Sequence, residues 1–363
     1  MTTESMTVQG HRRSPPDPSF TRKQIAVTFN IVRTDGATDS LTLESDYRIR
    51  GTVTHAGMSI GSELAMDIWG MSMNDMNRLS FVANQPNVEN PRTINQSNST
   101  VIVRVGDYGQ PLTTLFMGQI TEGFASYSNA DPVFHLHAMT STLLYGIIPD
   151  PISYRGPHSV VSILSDICTA AGLQFIDHGG WDRHAIIHNT YLEGSTLQMI
   201  RKVVEHTCRG TFNYSPLNAP SNQTGTPFIA LVEVWGPAYG GVTDGLLKNE
   251  IPFVSSKTGL IDYPQYSRAG VNFSCLLRPD LAYYQPLKLK SSYTPAGWVP
   301  DSHHGSGINA QGQLIADPNA PWNGYWLPVS ITHEISSEIQ GGPWFTHVEC
   351  QRTILGEKLA IPV

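Results

Sequence analysis

Two stretches decide the reading of this chain: GQITEGFASYSNADPVFHLH (Gly118–His137) and VSITHEISSEIQGGPWFTHV (Val329–Val348). Laid over each other at a constant offset of 211, they match at Ile120/Ile331, Thr121/Thr332, Ser126/Ser337, Pro132/Pro343 and Phe134/Phe345. Each reads as strand, polar turn, strand. Each closes a segment rich in alternating apolar and polar residues, the period of a half-buried strand. A duplicated β unit is the simplest account. A trimer of such a chain presents six similar units in a ring, can dock on a six-fold partner, and still offers three-fold symmetry on its other side.

Working outward, Ile25, Val27, Phe29 and Ile31 alternate on one face of a strand, and Asp35-Gly36 marks a turn. Strand patterns follow at Tyr47–His55, Glu63–Trp69, Val101–Val105, Leu112–Ile120, Thr121–Ser126 and Val133–Met139. The polar run Gln85–Thr100 reads as an exposed loop. The period changes after Pro157, where Val160, Val161, Leu164, Ile167, Cys168 and Ala171 recur at helical spacing up to Gly172. Ser195 with Gln198 three residues on is a capping box. It opens a helix whose face is Leu197, Ile200, Val203, Val204 and Cys208. Thr211–Tyr214 and Phe228–Trp235 read as strands. Beyond Ile251 the strand patterns return at Ala269–Leu277, Gln285–Ser291, Trp326–Ile335 and Trp344–Thr353, around a long Gly/Pro/Asn-rich excursion, Tyr293–Gly324.

The expectation is a mainly β chain with a small α+β insertion. Residues 1–20 form an arm, 21–148 a first β-barrel domain, 149–245 the insertion and 246–363 a second β-barrel domain. Composition agrees: of 363 residues, glycine (32) and proline (25) are frequent and charged residues make up only 15%, against about 25% in ordinary domains. The formal charge is −7, from 23 basic and 30 acidic side chains, so the basic stripe of a nucleic-acid binder is missing. No apolar run reaches the roughly 18 residues of a membrane span. The arm has no apolar core of the kind an export signal needs. The cysteines Cys168, Cys208, Cys275 and Cys350 form no C-x-x-C pair and read as buried thiols.

Motifs that could carry chemistry are few. Gly57-Met58-Ser59-Ile60-Gly61 matches G-x-S-x-G, but that elbow needs a strand, a helix and a parallel sheet, and the flanks here are antiparallel strands. His333-Glu334 begins like H-E-x-x-H, but the fifth position is Glu338 and the segment alternates like a strand. His184 and His188, with Asp177, His178 and Asp182 nearby, sit in a Gly-rich loop without helical spacing. His303-His304 reads as a solvated pair. No G-x-G-x-x-G or P-loop is present, and no pair of carboxylates is singled out for glycoside hydrolysis. No catalytic, metal or cofactor residues are assigned. Met58, Met66, Met71, Met73 and Met76 read as core or as a subunit contact. Trp322, Tyr325, Trp326, Trp344 and Phe345 read as core or as a sugar platform, which keeps a carbohydrate-binding tail or fibre protein as the alternative function.

The order of several segments carries a resemblance: IDYPQYSRAGVNFSCLLRPDLAYYQPLKLKS (Ile261–Ser291), the ending Trp326–Thr353 with its "ITHEISS" and Gly-Gly-Pro-Trp, and in the middle SILSDICTAAGL (Ser162–Leu173) followed by LEGSTLQMIRKVVEHTCRGTFNY (Leu192–Tyr214). Together they resemble the baseplate hub (tail hub) proteins of contractile-tailed bacteriophages, over roughly Gln24 to Arg352. The resemblance implies a homotrimer with two tube-like barrel domains per chain. It would continue the six-fold tail tube on one side and hold the central spike on the other, with baseplate wedge proteins and the tape measure protein as neighbours. It implies a structural virion protein of the tail, assembled in the host cytoplasm, without catalytic residues. A net acidic lumen would keep passing DNA from sticking.

Overall fold

The strand patterns fold as antiparallel ladders because each buries one face and leaves the other polar. The computed structural model describes residues 22–32, 38–44, 46–82, 85–86, 94–95, 99–128, 130–181, 185–218, 228–240, 251–267, 269–291, 322–338 and 342–353. The N-terminal arm, Asp182, His184, His303-His304 and most of the Tyr293–Gly324 excursion lie outside these residues.

The first segment supplies β1 (Lys23–Val32), β2 (Thr38–Leu43), β3 (Arg48–Gly57), β4 (Gly61–Trp69), α1 (Met73–Leu79), β5 (Phe81–Val82), the small β6 (Gln85–Pro86) and β7 (Ile94–Asn95) pair, β8 (Thr100–Asp107), β9 (Thr113–Ser126) and β10 (Val133–Met139). β9 is one long strand where the sequence reads as two. Helix α1, capped by the Ser72 hydroxyl on the Asp75 N–H, is not legible in the sequence pattern, and it buries Met76 and Leu79.

The insertion contains α2 (Ser141–Gly146), the short ladders of β11 (Ile152–Ser153) with β15 (Tyr191–Leu192) and β12 (Pro157–Ser159) with β14 (Ile186–His188), α3 (Val160–Ala170), β13 (Gln174–Asp177), α4 (Thr196–Arg201), β16 (Thr211–Asn218) and β17 (Phe228–Trp235). The capping box of Ser195 and Gln198 is formed on both sides. Helix α4 runs on into a π turn, Lys202–Thr207. Gly172 follows α3 with a φ of 70°, the left-handed conformation that glycine adopts at no steric cost. Val160, Ile163, Leu164, Ile167, Leu197, Ile200, Val203, Phe212 and Val232 make a hydrophobic cluster of their own.

The last segment gives β18 (Phe253–Ser255), β19 (Gln265–Tyr266), β20 (Gly270–Leu276), β21 (Leu287–Lys290), β22 (Gly324–Ser336) and β23 (Trp344–Arg352). The architecture is mainly β with a small helical part, as expected. The two β segments are joined edge to edge. A 14-stranded sheet runs β19-β20-β23-β22-β3-β4-β10-β9-β8-β1-β2, with β5, β18 and β21 pairing off that path. The junction is the antiparallel ladder of β3 with β22, from Ile331 opposite His55 to Ser336 opposite Arg50. Among the described residues no ladder closes either segment on itself. Ile335 of β22 packs into the core of the first segment with Ile49, Val53, Leu64, Ile68 and Phe134.

Candidate functional site

The ladders test the duplication residue by residue. In the first segment the strands lie in the order β3-β4-β10-β9, and in the second β19-β20-β23-β22. Cross-strand partners make the equivalence quantitative. Leu64, Met66 and Ile68 of β4 correspond to Phe273, Cys275 and Leu277 at the end of the second copy, all buried. Ile120, opposite Ala138, corresponds to Ile331, opposite Val348. The constant offset of 211 holds only this far. A bulge lies between His137 and Ala138 in the first hairpin, and between Pro328 and Ser330 in the second. From Glu122 onward the matching residues are 210 apart: Glu122 and His137 correspond to Thr332 and His347. A slip of one residue turns every side chain to the other face, so Phe134 is the counterpart of Trp344 and not of Phe345.

The correspondence defines a shared polar face. Across the junction it carries Arg50, Thr52 and Thr54 of β3 beside Ser336, Glu334 and Thr332 of β22. The Thr54 and Thr332 hydroxyls meet at 3.5 Å. The face continues through Glu63, Ala65 and Asp67 of β4, His135 and His137 of β10, and Glu122 and Phe124 of β9. In the other direction it continues through Phe345, His347 and Glu349 of β23 to Leu276, Ser274 and Asn272 of β20. Each of its histidines stands beside a carboxylate: His135 Nδ1 lies 2.6 Å from Asp67, His137 3.8 Å from Glu63 and His347 3.8 Å from Glu334. Glu63, Asp67, Glu122, Glu334 and Glu349 outnumber the cations Arg48 and Arg50. Arg48 is itself held over the Trp69 ring and against Glu338. The face is acidic and continuous across both copies.

The opposite face at the junction is largely buried. His333 is 1% exposed and its Nδ1 lies 2.9 Å from the Thr346 hydroxyl. His55 meets it edge-on, ring centroids 5.4 Å apart, with Nδ1 2.7 Å from the Ser62 hydroxyl. Burial lowers the pKa of His55 to about 4 and that of His333 well below the ordinary value. This accounts for the His333-Glu334 motif: the histidine is a neutral core residue on a strand, facing away from Glu334.

The G-x-S-x-G segment is a socket between the sheet and the insertion. Gly57 and Gly61 take φ of 60° and 67° in the β3–β4 turn. A Cβ on Gly57 would meet the Tyr283 ring at 2.2 Å. Ser59 Oγ donates to Glu205 at 3.0 Å, Tyr214 OH donates to the Ser59 carbonyl, and the Met58 N–H donates to the Phe212 carbonyl. The "C-L-L-R-P-x-L" turn is another clamp. The Arg278 side chain is 2% exposed, forks onto both oxygens of Asp280 at 2.7 Å, and donates to the Phe253 carbonyl of β18 at 3.0 Å.

The remaining candidates scatter. His178 pairs with Glu233 at 3.0 Å and stacks on Trp235, while His188 is exposed on β14. Met66, Met71 and Met76 are core; Met58 and Met73 are exposed at 37% and 61%. Trp322 and Trp326 are buried in the core of the second segment and Trp344 packs on that of the first, while Tyr325 and Phe345 are half-buried. Cys168, Cys275 and Cys350 are buried and Cys208 half-buried. Desolvation pushes the Cys168 and Cys275 thiols up to about 12.

No protein-family model and no curated protein matches the chain. Among solved structures it is similar in outline to three proteins that carry their own functional names. The tail protein from Neisseria meningitidis MC58 aligns over 93% of this chain and 99% of its own, at 7% identity and a TM-score of 0.47. The 43 kDa tail protein of prophage MuSo2 from Shewanella oneidensis aligns over 91% and 97%, at 10% identity and 0.45. A chain of the Francisella PdpA-VgrG complex aligns over 91% of this chain but 53% of its own length, at 10% and 0.46. Likenesses at this level carry no argument about partners or activity. Among the described residues no helix is long and apolar enough to cross a membrane.

Proposed function

We propose that the chain is a non-enzymatic structural protein of a phage-type tail. Three copies form a ring-shaped hub that joins a six-fold tube to a three-fold spike and lines part of the channel through which DNA leaves. The observation that carries this reading is the β3–β22 junction. It welds two equivalent four-strand units into one sheet with a mostly polar, acidic face that runs across both. Within one chain, two units already meet as neighbours in a ring would. Three chains then supply six units, matching a six-fold partner on one side, while the insertion and the loops repeat three times. The order of the segments resembling tail hub proteins supports the same reading.

The acidic face suits a lumen. Phosphates held by basic side chains bind with strong salt dependence; carboxylates repel them, so DNA slides past. Tail tube, central spike, wedge and tape measure proteins are the partners this role requires, and the virion tail is its location. Light scattering on the purified full chain tests the core of the proposal. A mass of three chains is expected. A mass of one chain at every concentration up to the millimolar range, or of two or four chains, overturns it.

A further inference from the structure

His135, His137 and His347 stand on the shared polar face, each beside carboxylates from neighbouring strands. His137 of β10 lies directly opposite Glu122 of β9 and 3.8 Å from Glu63 of β4. His347 of β23 lies 3.8 Å from Glu334 of β22, shares a hydrogen bond of 2.8 Å with the Ser274 hydroxyl of β20, and has Glu349 on the same side of its own strand. His135 of β10 has Asp67 of β4 at 2.6 Å and the Phe124 ring of β9 at 4.9 Å, with Arg50 of β3 opposite Asp67. The buried His333 belongs to the other side of the sheet.

The duplication sets two of these imidazoles at one level. His137 and His347 are equivalent, because their cross-strand partners correspond: Glu122 to Thr332 on one side, Ala65 to Ser274 on the other. The counterpart of His135 is Phe345, so that position carries an imidazole in the first copy alone. The three side chains are 33%, 44% and 42% exposed, so protons reach them from solvent. Imidazole is the side chain whose ordinary titration falls between about pH 5 and 8, whereas carboxylates and guanidinium groups keep their charge across that range. With the imidazoles neutral, Glu63, Asp67, Glu122, Glu334 and Glu349 face Arg50, while Arg48 is held by Glu338. With the imidazoles protonated, the cations nearly match the carboxylates in number.

We infer that this face is a proton-operated charge switch centred on His137 and His347, strongly acidic while the imidazoles are neutral and nearly balanced once they are protonated. This rests on the reading of the face as a channel lining and adds its regulation. Repulsion of phosphate is full above the imidazole range and fades as the pH falls through it. The flanking carboxylates keep the effect local. A proton taken up at His137 is offset by Glu63 and Glu122, so the face stops repelling anions without becoming a basic site that holds them.

Anion access to a probe on the face tests it. The full chain with Ala65→Cys, and Cys208→Ser to remove the half-buried thiol, carries an uncharged fluorophore at position 65, cross-strand from His137. The ratio of quenching by iodide to quenching by neutral acrylamide should rise about threefold from about pH 8 to about pH 5.5 in low salt. Adding His135→Gln, His137→Gln and His347→Gln should hold the ratio constant, whereas His158→Gln with His188→Gln in the insertion should leave the rise in place. A flat ratio in the labelled parent, or an equal rise in the triple variant, overturns the switch. The probe reads the face in one chain as well as in a ring, so the two readings fail separately. A flat ratio on a three-chain ring overturns the switch and leaves the hub; a one-chain mass with the full rise overturns the hub and leaves the charge change of the face.

Discussion

The two β segments share four strands in the same order, yet they are finished differently. In the first, β8, β1 and β2 extend the sheet as antiparallel ladders over an aliphatic core of Ile25, Val27, Val101 and Val103. In the second, β21 is followed by β18 in parallel, and Trp322 and Trp326 fill the core. Where the first copy ends its β4 in Trp69, partly exposed and capped by Arg48, the second places Arg278 in a buried fork with Asp280. The lesson is that the repeated part is the polar-faced four-strand unit that meets its neighbours. The outer layers that stabilise each copy were free to diverge.

The largest difference between the copies should come from that clamp. Arg278→Ala removes the buried guanidinium that holds the Phe253 carbonyl and Asp280 and is expected to cost about 2–3 kcal/mol in urea unfolding, against no more than about 1 kcal/mol, beyond lost packing, for Trp69→Ala, which removes the Arg48–Trp69 contact. Equal losses would show that the clamp adds nothing to the second copy. Next comes the weld. Ile335→Ala removes a side chain that β22 contributes to the core of the first segment, at a cost of about 2–5 kcal/mol. Because the side chain belongs to both segments, fluorescence and far-UV signals should shift together; a shift in one alone would mean that the segments unfold independently.

The half-buried His55 and the buried His333 make the weld sensitive to acid. Their native pKa values are depressed, so the unfolded chain takes up protons first. Stability is therefore present above about pH 6.5 and falls as the pH drops toward 4. His55→Gln with His333→Gln should flatten the melting temperature over that window; an unchanged slope would place the acid sensitivity elsewhere. The smallest effect on folding belongs to the polar face. Glu63→Lys, Glu122→Lys and Glu334→Lys should each change stability within about 0.5 kcal/mol. Combined in the assembled protein, they should turn a surface that does not retain duplex DNA into one that does in low salt. DNA passing the triple variant unretained would remove the electrostatic role of the face.

Much of this was legible in local pattern. The Ser195–Gln198 box, the helical stripe from Val160 to Cys168 and the hairpin strands depend on neighbours a few residues away, and they stand where the periodicity sets them. What escaped depends on distance or on single-residue irregularity. The bulges next to His137 and Pro328 shift the repeat by one residue and are invisible without the ladder. The β3–β22 weld joins residues some 280 positions apart, and β18 with β21 is a parallel pair that no hairpin turn announces. The polar face could be read as alternation, but its continuity across both copies required the weld.

The most direct test of the account is the rotational symmetry of the purified assembly in negative-stain class averages viewed along its axis. A ring with six similar inner lobes around an open centre and three outer projections from the insertions is expected. A ring with three inner lobes, or a particle without a central opening, would contradict the equivalence of the two units on which everything else rests.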